Sequence, residues 1–173
     1  MRGGSRERYA NGVVSALIVC FFLAHGTLGA VSLFTGNVSP LAWLVWVGVG
    51  LVAVHVALSA LTSKQQLSDE EHPPSRRKVR HLALKWATGG LLAVAATAHV
   101  VIMRMGGDSA FPRVASVVVI VVVALALAVH LCVGAKSLLK DINVDRRHKM
   151  AFRVVVIAFC VAFALSALVT LAL

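Results

Sequence analysis

Four histidines of this 173-residue chain stand among aliphatic neighbours, where an ionisable side chain costs free energy and therefore indicates a function. Imidazole nitrogens bind transition metals and haem iron, so these side chains are the first candidates for chemistry. The four are His25, His55, His99 and His130. Solvated or headgroup-level positions are expected for the other three, His72, His81 and His148.

The segments that carry the four histidines are long enough to cross a bilayer. Hydrophobic residues make up 59% of the chain and the mean hydropathy is +0.87, whereas a soluble domain is about 45–50% apolar. The pattern predicts an all-α integral membrane protein, a bundle of five transmembrane helices in one membrane domain over residues 1–173. At about 20 residues per crossing, the helices are expected at about 13–34, 41–62, 81–104, 114–137 and 150–173.

The basic residues indicate how the helices are oriented. Of the 17 Lys and Arg, all except Arg104 and Arg113 fall in the N-terminal tail, in the polar segments 63–80 and 135–149, or just inside adjacent helix starts. Cytoplasmic loops carry the excess of basic residues, so the N-terminus is predicted to be cytoplasmic. The net charge of +10 is thus a topology signal rather than a nucleic-acid-binding face.

The acids and cysteines argue against other kinds of site. All seven acidic residues are expected in tails or loops, whereas a proton pump or ion-coupled transporter usually needs carboxylates at membrane depth. The cysteines lie in apolar runs without CxxC spacing, which is typical of buried thiols rather than disulfides or metal clusters. They are Cys20, Cys132 and Cys160.

Helix direction converts the histidine positions into depths, because each residue adds about 1.5 Å along a helix. Helices one and three run outward, helices two and four run inward, and each histidine falls beyond the midpoint of its helix. His25 and His99 are therefore predicted in the outer half of the membrane, and His55 and His130 in the inner half. The two levels differ by about 13 Å.

Two histidines at one level on facing helices are the arrangement that clamps haem iron from both faces. The pairs predict two stacked haems, an outer one held by His25 and His99 and an inner one held by His55 and His130. Zinc is disfavoured, because no carboxylate or thiolate completes either pair. A flat porphyrin also needs small residues one turn from its ligands, and the candidates are Gly29, Ser59, Ala95 and Gly134.

Two local motifs accompany this pattern. Lys85-Trp-Ala-Thr-Gly89 opens helix three ahead of His99, and His130-Leu-Cys-Val-Gly134 is followed by Lys136 and Lys140-Asp141. With one histidine on each of its first four helices, the chain resembles the single-chain dihaem cytochrome b subunit of succinate dehydrogenases and fumarate reductases. The resemblance covers nearly the whole chain.

The resemblance implies a membrane anchor that relays electrons between membrane quinone and two cytoplasmic subunits, an iron–sulfur protein and a FAD flavoprotein. It implies two haem b groups, menaquinone or ubiquinone as substrate, and a place in the bacterial cytoplasmic membrane. Quinone chemistry would occur only within the complex. Polar residues near the two surfaces are candidates for the quinone site: Asn37, Arg104 and Asp108 outside, and Ser59, Lys85 and Trp86 inside.

Two other functions stay open. The cytochrome b subunit of another quinone-linked complex, such as a hydrogenase or formate dehydrogenase, often carries two ligating histidines on one helix, whereas no helix here has two deep histidines. The second is a haem-free anchor that assembles partners. If haem is bound, each imidazole's free N–H is expected to bond to a backbone carbonyl one turn earlier.

Overall fold

The chain folds into five long α-helices. The structure is a computed structural model that describes residues 4–35, 43–68, 74–105 and 110–172. Its helices are α1 (Gly4–Thr35), α2 (Leu44–Leu67), α3 (Arg76–Met105), α4 (Ala110–Asp141) and α5 (Lys149–Ala172), with one 3₁₀ turn at Arg146–His148. All five are long and apolar enough to span a membrane, and the described residues contain no strand. The prediction of an all-α, multi-pass membrane bundle is therefore confirmed.

The helices extend beyond the apolar segments from which they were predicted. α1 begins at Gly4 rather than near residue 13. α2 continues to Leu67 and α3 begins at Arg76, so residues 63–67 and 76–80 of the segment expected as a polar linker are helical. Hydropathy detects the part of a helix inside the hydrocarbon, whereas the backbone hydrogen bonds continue through polar residues at the headgroups. The predicted helix start at residue 41 and helix end at residue 173 lie outside the described residues.

Helices α1 and α4 form the centre of the bundle. α2 packs against α1, α3 packs against α4, and α5 packs against both α1 and α4. The tightest apolar cluster joins α4 to α5, and its buried members are Ala124, Leu127, Val156 and Cys160. Within the described ranges α2 and α3 do not pack closely on each other. The first four helices therefore surround a region that backbone packing does not close on the α2–α3 side.

Side chains join the end of α2 to the start of α3. Trp86 Nε1 donates a hydrogen bond to Ser63 Oγ at 3.2 Å, and Lys78 Nζ donates to the Gln66 carbonyl at 3.5 Å. Ser63 is buried, although the sequence predicted it in a solvated linker. The prediction for Ser63 is wrong because the α2 helix runs past it.

Two close approaches join α1 to α4 and to α5. A Cβ built on Gly12 would lie 2.9 Å from Asp141 Cβ, so the start of α1 meets the end of α4. Near the other membrane surface, the Phe163 ring of α5 occupies the space that a side chain at Gly26 would need. The start of α1 therefore lies beside the end of α4, and Gly26 lies beside the second half of α5.

The acids and cysteines lie partly where the sequence did not predict them. Glu7 lies in the first turn of α1, where its Oε2 is buried without a hydrogen-bond partner among the described residues. Asp141 is the half-buried last residue of α4, so neither carboxylate lies in a tail or loop. Cys160 is buried as predicted, whereas Cys20 is exposed on the bundle surface.

Candidate functional site: two histidine pairs

A hydroxyl on the neighbouring helix meets the ring of His55. Ser15 Oγ of α1 lies 3.1 Å from His55 Nδ1 of α2. The same hydroxyl donates its hydrogen to the Asn11 carbonyl at 2.6 Å, one turn earlier on α1. When the Ser15 hydroxyl keeps its single hydrogen on the Asn11 carbonyl, the hydrogen bond between Ser15 and His55 is donated by the imidazole.

The ring of His130 is held in the same way from α3. Thr88 Oγ1 lies 3.1 Å from His130 Nδ1, and the Thr88 hydroxyl donates to the Leu84 carbonyl at 2.9 Å. A Cβ built on Gly89 would come within 3.2 Å of the His130 ring, so glycine lets the ring lie against the α3 backbone. Thr88 is buried, which keeps water away from this hydrogen bond.

The two hydroxyls contact the same ring nitrogen, Nδ1, in both histidines. In the tautomer that donates from Nδ1 to Ser15 or Thr88, Nε2 keeps its lone pair. A metal-ligating histidine normally has this arrangement, with one nitrogen free to coordinate and the other donating to an acceptor that fixes the ring. The geometry at His55 and His130 is compatible with ligation through Nε2.

The acceptors differ from those expected. Each imidazole N–H was predicted to bond to a backbone carbonyl one turn earlier, whereas Nδ1 of His55 and His130 lies 3.1 Å from Ser15 Oγ and Thr88 Oγ1. Both hydroxyls belong to the adjacent helix. The acceptor is thus interhelical and couples ring orientation to helix packing.

The structure brings His55 and His130 together. The two imidazoles are close enough to interact electrostatically, and Lys85 of α3 lies within the same range of both. They come from α2 and α4, the two helices that run toward the predicted cytoplasmic side. This is the pair that the depths predicted for the inner level, although its role as an iron-ligand pair stays a prediction.

His25 and His99 form the second group. Their imidazoles also interact electrostatically, and each Nδ1 is buried without a hydrogen-bond partner in the described part of the chain. The Phe21 ring stacks on His25 with ring centroids 5.6 Å apart. A buried polar atom without a partner is rare in folded proteins, so the protein's own atoms do not satisfy this pair.

The hydrogen bonds also measure the separation of the two pairs. Ser15 marks the level of His55 on α1, and His25 lies about 15 Å further along that helix. Thr88 marks the level of His130 on α3, and His99 lies roughly 16 Å beyond it. Along both helices, the second pair therefore lies about 15 Å from the first.

The small residues chosen for porphyrin clearance fall into three environments. Open space surrounds Gly29 and Gly134, because a Cβ on either would meet no atom within 4 Å. Ser59 is occupied in a polar contact and donates a hydrogen bond to Asn11 Oδ1 at 3.2 Å. Ala95 is only 6% exposed, so protein atoms already cover it. Clearance for a flat ring is available at two of the four positions.

These features fit haem better than a metal held by protein alone. Across the described ranges, no group of three or more His, Cys, Asp or Glu side chains converges on one point. Haem iron needs only two protein ligands, because the porphyrin supplies four nitrogens. Nε2 of the inner pair suits this requirement in the tautomer that donates from Nδ1, and the outer pair offers two further imidazoles whose Nδ1 atoms are buried. No fully buried large side chain fills the described bundle interior.

A polar stripe on α1 escaped the sequence reasoning. Glu7, Asn11 and Ser15 recur at a spacing of one helical turn, on the side of α1 that reaches His55 and Ser59. The sequence could have indicated Ser15 and Thr88 through their depth, because they lie at the levels of His55 and His130 on adjacent helices.

Of the quinone-site candidates, Asn37, Asp108 and the side chain of Arg104 fall outside the described residues.

Comparison with known proteins adds no independent assignment. No protein-family model, no curated protein and no solved structure matches this chain. The geometry of the two histidine pairs is therefore the basis for a functional conclusion.

Proposed function

We propose that this chain is the dihaem cytochrome b membrane anchor of a succinate dehydrogenase or fumarate reductase complex in the bacterial cytoplasmic membrane. It would relay electrons between membrane quinone and a cytoplasmic iron–sulfur and flavoprotein pair. The observation that supports the proposal most is the paired contact of His55 and His130, each with Nδ1 lying 3.1 Å from a hydroxyl of the adjacent helix.

Haem, when bound, supplies the one-electron chemistry, and the protein supplies ligands, orientation and electrostatics. Ser15 and Thr88 hold the two imidazoles of the inner pair so that Nε2 stays unprotonated. His25 and His99 provide a second pair in the outer half. With levels about 15 Å apart along the helices, two redox groups would span much of the bilayer core, which is about 30 Å thick.

The cytoplasmic face supports docking of soluble subunits. Four basic residues at the start of α3 are exposed: Arg76, Arg77, Lys78 and Arg80. An exposed basic surface attracts an acidic partner and anionic lipid alike, so it sets orientation and association rather than chemistry. The chain itself has no extramembrane domain in its described ranges, and any dehydrogenase chemistry belongs to the partner subunits.

The function is tested on the complex isolated through this chain from its native membrane. We expect flavin and iron–sulfur subunits to copurify, and succinate or quinol to reduce a b-type absorption band that fumarate or quinone then reoxidises. Copurification of a hydrogenase or formate dehydrogenase subunit would instead assign the chain to another quinone-linked complex. A haem-containing chain that responds to none of these donors would refute the proposal.

A further inference from the structure

Lys85 is a half-buried cation beside the inner histidine pair. Its backbone carbonyl lies 3.1 Å from Thr88 Oγ1, and Lys85 lies one turn of α3 nearer the predicted cytoplasmic side than Thr88. His55 and His130 both lie within electrostatic range of its ammonium group. The other lysines near this level, Lys64, Lys136 and Lys140, are exposed.

The Lys85 ammonium has no close counterion in the described part of the chain. It makes no ion pair within 4.0 Å and no hydrogen bond there, although Asp141 lies within electrostatic range. Taking a charged group out of water is costly unless an opposite charge or hydrogen bonds compensate. A half-buried lysine within electrostatic range of both histidines is therefore expected to meet an anionic group of the bound molecule.

We propose that Lys85 binds the propionate carboxylates of the haem held by His55 and His130, and thereby sets the charge of the inner site. This inference rests on the proposed function. Haem carries its carboxylates on one edge of the ring, and Lys85 lies on the cytoplasmic side of both ligands. The same position raises the affinity of the inner haem for an electron, because a nearby cation favours the less positive reduced iron.

The test is an optical redox titration of the purified full chain and three variants. Lys85→Gln removes the charge, Lys85→Arg keeps it, and Lys64→Gln removes an exposed lysine as the matched control. We expect Lys85→Gln to lower the ratio of reduced to oxidised inner haem about tenfold at a fixed potential, which corresponds to about 59 mV. Loss of the inner haem alone would also support the proposal, and the other two variants should titrate like the wild type.

A second arm needs no variant to fold. The haem-depleted wild-type chain is reloaded with haem whose propionates are methyl esters, and the inner site should bind the ester less tightly than haem, because Lys85 loses its anionic partner. In Lys85→Gln the ester should cause a smaller loss of affinity, because the two modifications remove one interaction. An equal ester effect in both chains would overturn the proposal.

Asp141 is the rival counterion, and a double variant distinguishes it. If Lys85 serves to neutralise Asp141, then Asp141→Asn should restore the wild-type potential to Lys85→Gln. That rescue, or an unchanged potential in Lys85→Gln with both haems present, would refute the assignment to propionate. A wild-type chain that binds no haem would instead refute the proposed function, so the two failures are distinguishable.

Discussion

Replacing Ser15 with alanine removes the one hydroxyl that orients His55. The Ser15 oxygen lies 3.1 Å from His55 Nδ1, and both residues are half-buried. Alanine removes the hydrogen-bond partner of Nδ1 and frees the ring to turn. Helix α1 itself should be unaffected, because the other bond of Ser15 goes to a carbonyl of its own preceding turn.

The magnitude follows from the kind of bond that is lost. An unsatisfied buried donor costs about 1–3 kcal/mol, and removing the hydrogen-bond partner of a metal-ligating histidine typically weakens metal binding by about 10- to 100-fold. We expect the inner haem of Ser15→Ala to be bound about 10- to 100-fold less tightly than in the wild type. The outer haem should be retained, since neither His25 nor His99 bonds to Ser15.

The assay follows transfer of each haem from the purified chain to excess apomyoglobin, with the two haems distinguished by their redox spectra. Thr27→Ala is the matched control, because Thr27 lies on the same helix but its exposed hydroxyl only bonds back to the Leu23 carbonyl. Equal inner-haem loss from Ser15→Ala and Thr27→Ala would refute the reasoning. Preferential loss of the outer haem from Ser15→Ala would refute the assignment of levels.

Three further substitutions test other parts of the account. Gly134→Leu fills the open space one turn from His130 and should remove the inner haem while the circular dichroism stays helical, whereas Gly50→Leu, also in open space, should keep both haems. The methyl group of Gly26→Ala would meet the Phe163 ring and should lower the free energy of unfolding by about 1–3 kcal/mol in thermal unfolding. Gly50→Ala should be near neutral, and equal melting temperatures of the two variants would contradict this packing. Asn143 has a φ of 59°, so Asn143→Val should lower the free energy of unfolding by about 1–2 kcal/mol, whereas Asn143→Gly should not lower it. A valine variant as stable as the wild type would contradict the left-handed conformation at the end of α4.

The depths of the histidines were predictable because helix rise is constant. Counting residues from each helix start was enough to assign His25 and His99 to one level and His55 and His130 to another, and the same pairs interact electrostatically in the structure. The haem assignment itself stays a prediction. The five-helix architecture was predictable for a related reason, since hydropathy reports the thickness of the hydrocarbon core.

The hydrogen-bond partners were not predictable from depth alone. Whether Ser15 meets His55 depends on the rotation of α1 about its axis, and each residue turns the helix face by about 100°. Hydroxyl residues are also frequent in membrane helices for packing alone, so their presence carries little information. The environment of Ala95 was not predictable either. Its spacing from His99 suited a porphyrin, but helix packing buries it.

Helix ends were also beyond the reach of hydropathy. The end of α4 depends on a hydrogen-bond pattern in which Val144 N donates to the Leu139 carbonyl at 2.8 Å and Asn143 takes the left-handed conformation. Nothing in the apolar pattern marks this residue, although asparagine tolerates that conformation. The extended helices bring Asp141 and Glu7 into the bundle, where loop positions were expected.

The haem content of the purified full chain tests the central claim most directly. The account predicts a reduced-minus-oxidised b-type spectrum and about two haems per chain, each held by two imidazoles. His55→Ala and His130→Ala should lose the same spectral component, and His25→Ala should lose the other. A colourless but stably folded chain would contradict the account, as would loss of one common component in His25→Ala and His55→Ala.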